Sequence, residues 1–239
     1  MKAFKFTLSG KTAFFKTPDV NAYMYFSYGH IHRVALLGVF GAIMGYSGYG
    51  GDPKRELPEF YEKLRDIKVS VLPNSSDGIF SRKIQNFNNS TAFASREEGG
   101  NLIVKQIWLE DVSWDIYFLV DSEISTELAN RIFNNRCTFI PYLGSNDHLA
   151  NITNAEYVEL NKINEFSEIN SFTKSSDVIV NQNRQVFKYE EILPYKLEPE
   201  TERYIFEKFI FTNGKVKINN DSIEVYSHDG RKLIFYGAD

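Results

Sequence analysis

The sequence predicts an α+β fold: a ferredoxin-like β-α-β-β-α-β core carrying an inserted hairpin and a small β-rich C-terminal appendage. Three observations predict it. Apolar residues alternate over residues 3–8, 67–72 and 114–120, the pattern of half-buried strands. Two stretches, 34–46 and 123–134, read as helices lying between those strands in the ferredoxin-like order. Beyond residue 160 that order is lost, and short β-type segments follow one another.

The first strand sets Phe4, Phe6 and Leu8 against Lys5 and Thr7. A long loop, 9–32, follows, holding Pro18 and several aromatic residues. Such loops are usually functional or covered by a partner. Helix 34–46 contains Gly38, Gly41 and Gly45. Each interior glycine costs a helix about 1 kcal/mol relative to Ala, so three of them predict close approach to another backbone, a sheet. The glycine-rich run 47–53 stops this helix, and 57–64 forms a short second one. After strand 67–72, the polar stretch 73–100 is an insertion or long hairpin. Strands 102–109 and 114–120 are expected to turn at Glu110-Asp111. Ser122 or Ser125 caps helix 123–134, 138–147 is a loop, and 150–160 is a strand. The core therefore spans 1–160. In 161–239, residues 166–183 are polar and expected to be mobile. Segments 204–211, 216–218, 223–226 and 233–236 are strands, with hairpin turns at Asn213-Gly214 and Asp229-Gly230.

Composition narrows the function classes. Apolar residues make up 43% and charged residues 24% of 239, ordinary for a globular chain. The net charge of −4 excludes a protein that coats nucleic acid by bulk electrostatics. The distribution is uneven: the first 55 residues hold 7 basic against 2 acidic, and residues 111–239 hold 13 against 21. A basic front suits a surface that meets phosphate, and an acidic rear suits solvent or protein. Phe and Tyr number 20 and 14; most fill a core, but exposed ones stack on unpaired bases. Cys137 is the single cysteine, so no internal disulfide forms. No secretory signal is apparent, and the longest apolar run is too short to span a bilayer, which points to the cytoplasm and to no membrane partner.

The residues suited to RNA cluster in three places. Lys11, Lys16, Asn21, Tyr28, His30, His32 and Arg33 bring cations, rings and polar groups to one loop. Arg33 lies where a helix begins, where free amides favour phosphate. Its structural alternative is to brace the loop through backbone carbonyls. Arg82, Lys83, Asn86, Phe87 and Arg96 give the 73–100 insertion a phosphate-binding, base-wedging character. Gly144, Ser145 and Asn146 offer bare backbone amides.

Three segments, F-K-F-T-L-S-G-K-T-A-F-F-K-T-P-D-V-N, H-R-V-A-L-L-G-V-F-G-A-I-M-G and I-P-Y-L-G-S-N-D-H-L-A-N-I, resemble in this order the Cas-five family of CRISPR-associated proteins, most closely its subtype I-B branch. The resemblance covers roughly the first 160 residues. It implies an RNA-binding core of the repeat-associated mysterious protein type at the foot of the Cascade surveillance complex, holding the 5′ handle of the CRISPR RNA. It also implies a thumb at 73–100 that touches the guide, with the backbone and large subunits as partners and target DNA met only through the complex. No cofactor is implied.

Other functions are weaker. Relatives of subtype I-C cut precursor RNA without metal, and Tyr28, His30, His32 and Lys16 would be the residues for it here. His30 and His32 lack a third ligand at metal-binding spacing, His148 and His228 being far along the chain. Glycines 45–51 follow a helix and lack the Lys-Ser/Thr of a phosphate loop. A pure protein scaffold would suit the acidic half but not the basic front.

Overall fold

The computed structural model describes residues 1–19, 23–50, 55–89, 96, 102–181 and 186–238. In chain order its elements are β1 (Lys2–Ala13), α1 (Arg33–Met44), α2 (Glu59–Leu64), β2 (Val69–Pro73), β3 (Arg82–Asn89), β4 (Leu102–Leu119), α3 (Glu123–Phe133) and β5 (Asn151–Glu159). Then come β6 (Asn161–Ile163), β7 (Thr173–Lys174), β8 (Val178–Asn181), β9 (Lys188–Leu197), β10 (Tyr204–Thr212), β11 (Lys215–Ile218), β12 (Val225–His228) and β13 (Arg231–Ile234). The result is a sheet-rich α+β fold with antiparallel pairing throughout these strands.

The main sheet runs β2-β4-β1-β5, with β3 added to β4. Alternation assigns its faces. Phe4, Phe6 and Leu8 stand opposite Phe118, Ile116 and Trp114 and are buried with them. Helix α1 packs on this face through Phe40, whose ring lies 6.2 Å from Phe6 and 5.5 Å from Phe118. On the other face, Ala3, Tyr117, Leu119 and Leu72 are covered by Tyr226 and Leu233 of the β12–β13 hairpin. The turn of that hairpin is Asp229-Gly230, both at positive φ, as the Asp-Gly pair predicts.

Several expectations are corrected. β4 does not turn at Glu110-Asp111. It continues for 18 residues, because β1 extends to Ala13 and pairs with it across that point. Asp111 instead takes a left-handed backbone within the strand, at φ 46°. Asn213-Gly214 does not close a hairpin, since β10 pairs with β7 and β9 while β11 pairs with β8. Of the stretch 166–183, residues 166–181 are described and are not a loose polar tail: Ile169, Phe172 and Val178 are buried in the same cluster as Phe6 and Leu36. Residues 188–197, unassigned from the sequence, form β9, the partner of β10 and a neighbour of α1.

The three glycines of α1 do three different things. A Cβ on Gly41 would lie 2.5 Å from Phe60 Cβ, so the close neighbour is helix α2, not the sheet. Gly45 is the left-handed C-cap, at φ 85°. A Cβ on Gly38 would meet nothing within 4 Å among the described residues. Gly41→Ala is therefore expected to lower stability by about 1–3 kcal/mol through overpacking. Gly38→Ala is expected to raise it by roughly 0.5–1 kcal/mol through helix propensity. Urea denaturation of the two variants side by side checks both signs.

Candidate nucleic-acid interface

The turn that opens α1 is packed inward. His30 is fully buried; Trp114 Nε1 donates to its Nδ1 at 3.0 Å, so its protonated Nε2 donates to the Gly78 carbonyl at 2.6 Å. Burial, with a smaller contribution from the Arg82 charge, holds its pKa down at about 4 against the hydrogen bond to Gly78. His32 is the N-cap of α1, its Nδ1 accepting from the Ala35 amide at 3.2 Å. Burial lowers its pKa to about 3. Tyr28 is buried edge-on against His32, and burial raises its pKa. Arg33 is also buried; it donates to the carbonyls of Arg65, Tyr195 and Ile67, and lies over the Tyr195 ring at 5.4 Å.

These four were expected to meet RNA, and the structure corrects that. A core histidine carries its neutral, hydrogen-bonded form because charging it there costs desolvation. At the start of α1 the Ala35 amide is taken by the capping imidazole and the Leu36 amide by the His32 carbonyl, so neither is open to the anion predicted there. Arg33 takes the bracing role. Asn21 lies outside the described residues.

The other expected residues are accessible in part. Lys16 is exposed, its Nζ 3.9 Å from the Tyr25 ring, and the Lys16–Ser27 bridge fixes its strand of the loop. Lys11 is exposed and paired with Asp111 at 3.1 Å. Gly144 and Asn146 are exposed and Ser145 half-buried. Gly144, at φ 91°, presses its backbone against the Phe14 carbonyl, which leaves no room for a side chain.

Two surfaces emerge. One is the ribbon of β3 with the first half of β4, paired from Arg82–Leu109 to Asn89–Leu102. On one side, Lys83 lies over Trp108 at 5.3 Å, beside Glu110, and Phe87 packs on the same ring at 5.5 Å. The other side exposes Arg82, Ile84, Asn86, Lys105 and Ile103. Arg96 is exposed as well. The second surface, a groove along α1, has no single sequence motif. It lies between the 46–49 turn and the 138–144 loop, and takes in Lys16 and Gly144. Its contributors are far apart in sequence, and only the exposed aromatic residues Tyr49, Phe139 and Tyr142 hint at it. The open half of the sheet's second face is polar, lined by Lys5, Thr7, Asn74, Asp115 and Glu156.

The pH dependence of stability follows from the histidines. A His whose folded pKa lies below its unfolded value stabilises fully above about pH 6.5, and that stability is lost as pH falls toward the folded value. For His30 the window runs from 6.5 to about 4, worth on the order of 3 kcal/mol. Urea titrations between pH 7 and 4.5 are expected to show this fall. His30→Gln should be less stable at pH 7 and show a visibly flatter profile.

No family model matches the sequence, and no curated protein matches it. Solved structures do. The chain is similar to one in a structure described as "CRISPR RNA-guided surveillance complex", at 13% identity over 91% of each chain with a TM-score of 0.55. It is similar to a CRISPR protein from Archaeoglobus fulgidus at 10% identity over 98% of each chain, with a TM-score of 0.52. A chain of the type III-B Cmr-beta complex bound to cognate target RNA matches at 9% identity, over 91% of this chain and 86% of that one, with a TM-score of 0.52. At these identities the likeness is one of architecture: this chain has the fold of CRISPR-associated proteins.

Proposed function

We propose that this chain is a non-catalytic RNA-binding subunit of a type I CRISPR surveillance complex, of the Cas-five family and its subtype I-B branch. The observation that carries the reading is the fold shared along nine-tenths of both chains with a component of an RNA-guided surveillance complex. The strand path β2-β4-β1-β5, antiparallel at each step, supports a ferredoxin-like core within it. The chain holds the 5′ handle of the CRISPR RNA and meets the backbone and large subunits, so target DNA is reached only through the assembly.

The β3–β4 ribbon is the phosphate-contacting thumb in this reading. Arg82, Lys83 and Lys105 supply cations, Asn86 a polar edge, and Phe87 with Trp108 an aromatic base. Phosphate contacts of this kind bind any sequence and weaken with salt. The alternative, metal-independent cleavage of precursor RNA, was assigned to Tyr28, His30, His32 and Lys16. Tyr28, His30 and His32 are buried, with each imidazole committed to an internal hydrogen bond, while Lys16 is exposed; this burial favours the non-catalytic reading.

Purified protein mixed with 5′-labelled precursor CRISPR RNA in EDTA is expected to give a shifted band on a native gel and intact RNA on a denaturing gel. A discrete cut within the repeat would overturn the non-catalytic reading. Lys83→Ala is expected to weaken binding uniformly across sequences, by about threefold to tenfold, and to reduce the salt slope by about one ion.

A further inference from the structure

The groove along α1 holds about 750 Å³, within the roughly 300–1,000 Å³ of small-ligand pockets. Ala35, Gly38 and Ala42 form its floor, on one face of the helix at i, i+3 and i+7. Rings form its walls. Tyr49 is 53% exposed, Phe139 57% and Tyr142 46%, with Tyr46 and Tyr204 completing the lining. These rings are held in place. The Phe139 amide donates to the Ala42 carbonyl at 2.9 Å and that of Thr138 to Ile43 at 3.1 Å, which ties the 138–144 loop to the end of α1. Tyr49 rests edge-on against Phe60.

Gly38 is the independent observation. Gly41 and Gly45 are required by the fold, one by Phe60 and one by its left-handed backbone. Gly38 has right-handed helical geometry and, among the described residues, faces open space, so none of them requires a glycine there. It is also the least favourable helix former short of proline. Its side-chain volume is kept free for something outside the chain.

Charge and shape narrow the occupant. No carboxylate lines the groove among the described residues, although the chain carries 31 acidic residues. Lys16 stands at one end as the cation of the lining, while Lys63, over the Tyr46 ring at 5.1 Å, is paired with Glu59 at 3.9 Å. Flat aromatic walls, a floor of small residues and the exposed cation of Lys16 at one end match a π-face joined to phosphate. We propose that this groove receives an unpaired nucleobase of bound RNA, stacked on the wall rings above Gly38, with the adjoining phosphate at Lys16. The inference rests on the RNA-binding reading above and assigns a base-stacking site to a surface distinct from the β3–β4 ribbon.

The test is fluorescence anisotropy of the full chain with a short 5′-fluorescein oligouridine, and with duplex RNA of the same length, at fixed salt. Gly38→Trp is expected to weaken oligouridine binding at least about tenfold and to leave duplex binding unchanged, with Gly38→Ala weakening it in the same direction by a smaller factor. Tyr142→Ala and Phe139→Ala, on exposed rings, are each expected to lose on the order of fivefold or more. If Gly38→Trp does not fold, the two ring variants decide by the same readout. Wild-type affinity in Gly38→Trp, or in both ring variants, overturns the groove site and leaves the RNA reading standing if Lys83→Ala still weakens binding. Absence of RNA binding by the wild-type chain overturns both. If Gly38→Trp keeps RNA but loses association with other subunits, the occupant is a protein segment and the inference fails.

Discussion

The buried guanidinium of Arg33 is the interaction on which the arrangement depends. It stands at the first residue of α1 and donates to carbonyls of Arg65, Ile67 and Tyr195. Two of those carbonyls belong to the connection between α2 and β2, and the third to β9. A planar, permanently charged group with five donors suits such a junction, where carbonyls from several segments converge without a ladder of their own. A buried cation is tolerated only because those carbonyls and the Tyr195 ring surround it. The same junction fixes which side of α1 faces the core and which faces solvent.

That orientation distributes the chemistry of the molecule. The inner side of α1 carries Leu36, Leu37, Phe40 and Ile43 into the core. Its start is closed by His32, and its outer side presents the small residues of the groove. The sheet's second face divides in two: the C-terminal hairpin covers the Tyr117 end, and Asp115 organises the polar end. Asp115 accepts from Thr7, Asn74 and Arg231, and these bonds hold its pKa down although burial alone would raise it. Among the described residues this leaves the ribbon and the groove open, the groove bordered at one end by His32 of the packed turn.

Where a pattern was local, it was legible. The alternation of Phe4, Phe6 and Leu8, the Ser122 cap of α3 and the Asp229-Gly230 turn each state their conformation in a few residues. Where a local signal competed with pairing, pairing decided. Glu110-Asp111 reads as a turn, but β1 supplies hydrogen-bond partners on both sides of it. Asn213-Gly214 reads as a hairpin, but β11 finds its partner in β8. Of the site, the ribbon was legible as a basic insertion with an aromatic residue. The groove was not, since its walls come from residues near 46, 140 and 204.

The α+β class, the strand and helix periods, the serine cap of α3 and the basic character of the first half are readable along the chain, because each depends on spacing or on composition. Only the tertiary structure decided that His30, His32 and Arg33 lie inside while Lys16 and Tyr142 lie outside. Burial depends on which distant segments pack over a residue. A histidine under Phe80, Phe172 and Tyr189 has the same sequence neighbours as one in water. The three glycines of α1 look alike in the chain. Phe60, a left-handed backbone and open space give each a different physical reason.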